Sequence, residues 1–160
     1  MKKLALLFFI SALIAPVAKS QILSPEELKE IHSLKEVKEI TSKLNETGYK
    51  EGYSWDDTVV GRISNWQFQN KPGEFSDFTV RRIVDKTGHA ETRYWISNIY
   101  HYKQFINSLS KEKYKVEGAT IISDKIYTVL KKKNISFLIG EHLNANNKIY
   151  YEVIIKEDKA

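Results

Sequence analysis

This sequence contains no cysteine. That absence excludes a disulfide framework, a thiol nucleophile, a thiolate metal site and a lipid anchor attached through cysteine. The fold is left to its hydrophobic core. Motifs of hydrolytic and nucleotide chemistry are missing too. There is no Gly-x-Ser-x-Gly elbow, no glycine loop to cradle phosphate and no His-Glu-x-x-His pair. The four histidines, His32, His89, His101 and His142, are too far apart in sequence for two to lie on one turn of one element. They read as surface or hairpin residues, and neither a metal nor a cofactor is expected.

A large excess of one charge is also lacking. The chain has 25 Lys and Arg against 20 Asp and Glu, and removing Lys2, Lys3 and Lys19 leaves 22 against 20, a net charge near +2. Nucleic-acid binding needs a concentrated basic face, so no nucleic-acid partner is expected. The densest run, Lys131-Lys132-Lys133, reads as a solvated turn.

Only one long apolar run is present, and it lies at the N-terminus. Lys2 and Lys3 precede an apolar stretch over 4–14, and Ala18-Lys19-Ser20 supplies small residues at the right spacing for cleavage. This is the pattern of a secretory signal peptide over 1–20, with Gln21 as the first mature residue. The run from Leu4 to Val17 is about 14 residues, short of the roughly 20 that a spanning helix needs. The expected mature protein is therefore exported to the periplasm or the medium and leaves the membrane after cleavage. Residues 21–160 have the length of a single domain.

Ser24-Pro25-Glu26-Glu27 is a capping box with proline at the first helical position. Leu28, Ile31, Leu34, Val37, Ile40 and Leu44 follow at helical steps, with a break expected near Ser33 and a stop at Gly48. From Tyr49 the period becomes extended, and strands are expected over 49–55, 58–69, 78–85 and 90–97. Turns are expected at Asp56-Asp57, over 70–74 and over 85–88, the last with Gly88 at positive φ. Asn98 caps a second helix whose apolar face is Tyr102, Phe105, Ile106 and Leu109. Four more strands are expected over 114–122, 125–131, 135–141 and 148–157, the last two joined by an asparagine-rich turn over 144–147.

The two halves look alike. Ile40-Thr41-Ser42-Lys43-Leu44 matches Phe105-Ile106-Asn107-Ser108-Leu109 at an offset of 65 residues. The expected class is thus α+β, with two tandem α-β-β-β-β units, about 34–98 and 99–158, sharing one antiparallel sheet with the helices on one face. This layout, over Leu34 to Glu157, resembles that of the β-lactamase inhibitor proteins, which are exported tandem repeats of a helix and four strands. It departs from them in lacking cysteines, and the resemblance carries over no functional residue. The Lys-, Asn- and Ile-rich style is also similar to that of secreted proteins of Bacteroidota-type bacteria.

A sheet with helices on one side leaves the other side bare. Tyr53, Trp55, Trp66, Phe68, Tyr94, Trp95, Tyr127 and Tyr150 all fall in expected strands, as do Arg62, Arg81, Arg82 and Arg93. Alternation sends Tyr94 and Ile96 one way, and Arg93 and Trp95 the other. Trp and Arg together on an open face are the composition of a binding surface. Trp66, Trp95, Tyr127 and Arg93 are the expected anchors for a protein or a cell-envelope ligand. The rival reading is a small hydrolase with a cupped sheet, its His and Asp or Glu assembled from distant strands. Asp56 and Asp57 do not supply such a pair, because neighbours in extended chain point to opposite sides. They read as a strand end.

Overall fold

The computed structural model describes residues 22–68, 76–143 and 147–157. The leader and the turn over 70–74 lie outside them, as does most of the turn over 144–147. The capping box forms as expected: Ser24 Oγ accepts from Glu27 N (3.2 Å), and Glu27 Oε2 accepts from Ser24 N (2.8 Å). It starts α1 (Pro25–Ser33). The break falls at Leu34, whose backbone is extended (φ −69°, ψ 138°). Helix α2 (Val37–Glu46) then carries the stripe on through Ile40 and Leu44. Asn98 Oδ1 accepts from Tyr100 N (2.8 Å) and starts α3 (Ile99–Lys111).

The eight strands are β1 (Tyr49–Asp57), β2 (Gly61–Phe68), β3 (Phe78–Val84), β4 (Ala90–Ile96), β5 (Lys115–Ile122), β6 (Lys125–Lys132), β7 (Ile135–Leu143) and β8 (Ile149–Glu157). They form one antiparallel sheet in the order β1-β2-β3-β4-β8-β7-β6-β5. Each half is a meander, and the halves meet where β4 pairs with β8, with Tyr94 opposite Val153 and Trp95 opposite Glu152. Both outer strands carry a register shift, between Glu51 and Ser54 in β1 and between Val116 and Gly118 in β5. Such bulges twist an unpaired edge away from further pairing.

Two turns differ from expectation. The first hairpin turns after Asp57, over 58–60, so β2 begins at Gly61 rather than at Thr58. Gly61 sits at φ 101°, and a Cβ there would lie 2.3 Å from Val84 O, which fixes glycine at this corner. Asp57 Oδ1 accepts from Val59 N and Val60 N, so it closes the turn at the strand end. In the lysine run, Lys131 and Lys132 belong to β6, and only Lys133 (φ 57°) turns the chain. The hairpin at Gly88 (φ 82°) forms as expected, with Asp85 Oδ1 accepting from Thr87 N and His89 N.

The three helices among the described residues pack on one face. Their buried residues Leu28, Ile31, Ile40, Leu44, Phe105 and Leu109 join Tyr49, Trp66, Phe78, Val80, Tyr94, Phe137, Val153 and Ile155 of the sheet in one core. The opposite face carries the alternate residues of each strand and a smaller apolar cluster of Tyr127, Leu138 and Ile154. Among the described residues, no helix is long and apolar enough to cross a membrane.

Candidate functional site

Strand pairing lines up two rows on the helix-free face. One runs Val129, Leu138, Ile154, Arg93, Arg81 and Asn65, each opposite the next on the neighbouring strand. It is apolar across the second half of the chain and cationic or polar across the first. The other runs Gly140, Glu152, Trp95, Thr79 and Gln67.

Glu152 is the hub of the second row. Its residue is only 1% exposed, though none of the described helices covers it. Oε1 accepts from Arg93 NH1 (3.1 Å), and Oε2 accepts from the Tyr127 hydroxyl (2.6 Å). Arg93 Nε donates to Glu91 Oε1 (2.5 Å) as well. A buried carboxylate is tolerated when its oxygens are taken up in this way. Burial and the bond to Glu152 push the Tyr127 hydroxyl well above its ordinary range, so it remains a donor. Gly140 makes the contact possible. A Cβ there would lie 2.6 Å from His142 Nε2 and 2.9 Å from Tyr127 Cδ1, so the bare backbone leaves room for both rings. His142 is buried, edge-on to Tyr127 at 5.1 Å, with Nε2 3.5 Å from Glu152 Oε2. Burial and the charge of Lys125 lower its pKa despite Glu152, which keeps the imidazole neutral near pH 7.

Arg81 sits at the border of this network. Its guanidinium carbon lies 4.7 Å from the Trp95 ring and 5.9 Å from the Trp55 ring. Arg81 Nε donates to Asn65 Oδ1 (2.7 Å), and Asn65 Nδ2 in turn donates to Tyr53 O (2.9 Å). Burial, and then the like charge of Arg93, lower the Arg81 pKa from its ordinary value. Trp55 is 42% exposed and Tyr53 87%.

Of the four expected anchors, Trp95, Arg93 and Tyr127 lie on the helix-free face. Trp66 does not. It is fully buried on the opposite side, where its Nε1 donates to Thr41 Oγ1 of α2 (2.9 Å). Strand β2 pairs Trp66 with Val80, a core residue, and that register turns the ring under the helix. Tyr127 is buried beneath its neighbours and positions Glu152 rather than offering a surface. The histidines are corrected in part: His142 is buried, and His32 is mostly so. Two residues of this network, Glu152 and Gly140, were not singled out from the sequence, and Trp55 and Arg81 were candidates by composition only. Alternation places Arg93 and Trp95 on one side of β4, and Glu152 joins that side only once β4 is known to pair with β8.

The helix side holds a second polar cluster. Arg82 NH1 donates to His32 O (2.7 Å) and to Thr92 Oγ1 (2.8 Å), and NH2 donates to Leu34 O (2.9 Å). It thereby satisfies carbonyls freed where α1 ends. His32 Nδ1 lies 3.0 Å from Thr92 Oγ1. Burial first, then the charges of Arg82 and His89, lower the His32 pKa to about 4. His32, Arg82 and His89 line a cleft of about 670 Å³ with Lys35, Asn134 and Glu157.

Glu152, Tyr127 and His142 are buried against one another on the helix-free face. Among the described residues, no group of His, Asp and Glu could hold a metal ion. The chain matches no family model, no curated protein and no solved structure.

Proposed function

We propose that this is an exported, non-enzymatic binding protein that docks a protein or cell-envelope ligand on the helix-free face of its sheet, around Trp95, Trp55, Arg81 and Arg93. One observation carries the reading: two tryptophans bracket an arginine on an open sheet face, beside a buried Glu152 network that holds the face in one shape. Trp and Arg on a preorganised surface are the residues that dominate binding energy in protein interfaces. Export rests on the leader pattern over 1–20.

The test is affinity capture from periplasm and culture medium with the protein from Gln21 onward. The expected result is a specific partner that is lost with Trp95→Ala and kept with Lys103→Gln, a change on the exposed side of α3. A partner that binds the Trp95→Ala protein equally well would move the interface elsewhere. Turnover of a substrate from a hydrolase panel would favour the enzymatic reading instead.

A further inference from the structure

We infer that Arg81 and Arg93, framed by Trp55 and Trp95, form a recognition site for a carboxylate side chain presented by a protein partner. The inference rests on the reading of the helix-free face as a docking surface and specifies what that surface selects.

The register sets Arg81 directly opposite Arg93 on adjacent strands. Like charges directly opposite each other destabilise a sheet unless something compensates them. Arg93 is compensated, because Glu91 and Glu152 both lie within ion-pair distance. Arg81 feels Glu152 only at longer range. Among the described residues no carboxylate lies within ion-pair distance of it, and its one side-chain hydrogen bond goes from Nε to a neutral amide. Its two terminal nitrogens donate to nothing in the described protein. The Trp95 and Trp55 rings attract the cation and limit where its plane can lie. Arginine held in this way offers a pair of parallel N–H donors, the geometry that a carboxylate accepts.

The comparison with Arg82 makes the vacancy of charge specific. Arg82 is equally cationic, but backbone carbonyls and Thr92 take up its terminal nitrogens inside the fold. Arg81, the next residue along the chain, has its terminal donors left over on the face where Trp55 is exposed. A small free anion on so open a surface would stay hydrated and bind weakly. An Asp or Glu side chain on a protein arrives with apolar neighbours that can cover the tryptophan rings. That cover excludes water and strengthens the ion pair it surrounds. The occupant is therefore an acidic segment flanked by apolar or aromatic residues.

The experiment is selection of a random dodecapeptide display library on the purified protein, followed by affinity measurement of the selected peptides. The expected peptides are enriched in Asp or Glu next to an aromatic or aliphatic residue. Their affinity should fall roughly 10- to 100-fold on Arg81→Gln, the effect of losing one charge-assisted contact. It should fall less on Arg81→Lys, which keeps the charge but not the fork. Replacing the peptide's acid with its amide should match the Arg81→Gln loss, and Trp95→Ala should also weaken binding. An unchanged thermal midpoint in Arg81→Gln shows that the fold is intact. Peptides without acidic enrichment, or peptides that bind Arg81→Gln unchanged yet are lost with Trp95→Ala, would overturn the carboxylate site and leave the docking face standing. Failure to select any peptide, or selection of peptides indifferent to both substitutions, would overturn both.

Discussion

On the helix side of the sheet, Arg82 spends its donors on the carbonyls of His32 and Leu34 and on Thr92. On the bare side, Arg93 faces Glu91 and Glu152, and Arg81 lies against tryptophan rings with no acid beside it. The helix side holds its polar groups as guests in an apolar core and takes up the terminal nitrogens of Arg82 locally, while Arg82 Nε stays buried without a partner. The bare side builds its centre from charge, and an arginine at the border is left with donors to spare. Burial alone does not separate the faces, because Glu152 and Ile154 are as inaccessible as Trp66. What separates them is the cover. Helices cover one face, while on the other the sheet's own side chains shield one another and their outer rim stays open.

Four outcomes would sharpen or break this contrast. The largest effect is expected at Trp66. Trp66→Ala removes a fully buried ring and the bond to Thr41, and should cost about 4 kcal/mol in denaturant unfolding. Glu152→Ala should follow at about 3 kcal/mol, because it strands Tyr127 and part of Arg93 on a face without helices. A loss below about 1 kcal/mol there would mean that the network is solvated and the face not preorganised.

The third outcome concerns pH. His32 has a folded pKa of about 4, against 6.5 ordinarily. Above about 6.5 it is neutral in both states, and its contribution to stability is complete. As pH falls from 6.5 towards 4, the unfolded chain takes up a proton that the folded protein refuses, so stability declines. Unfolding measured across this window should be steeper in the original protein than in His32→Gln. Equal slopes would show that the helix-side cluster is open to water.

The smallest effect is expected at Trp95. Trp95→Ala should change stability by less than about 1 kcal/mol, since the ring is partly exposed and lies against Arg81 outside the core beneath the helices. A cost matching that of Trp66→Ala would make it a core residue and remove its claim to a partner.

Much of the architecture was legible from the chain. Ser24 to Glu27, Asn98 and Gly88 announce their structures through local chemistry that does not depend on the rest of the fold. Alternation in β4 and β8 placed Trp95 and Arg93 opposite Tyr94 and Ile96. Strand β2 was not legible in the same way. Its sides carry Ser64 and Trp66 on one face, Ile63 and Asn65 on the other, so neither looks consistently apolar. Only pairing of Trp66 with Val80, and the approach of Thr41 from α2, decided which side faces inward.

The candidate site shows the same division at longer range. Arg93 and Glu152 are 59 residues apart, and Tyr127 and Glu152 are 25 apart. Side-chain period, caps and turns depend on a few neighbouring residues, so the chain alone determined its helices, its hairpins and the parity of most strands. Which strands lie side by side is set by the packing of the whole sheet beneath its helices. Tertiary structure therefore decided which charges meet: Arg93 gained two acids, Arg82 a set of carbonyls, and Arg81 a pair of tryptophans.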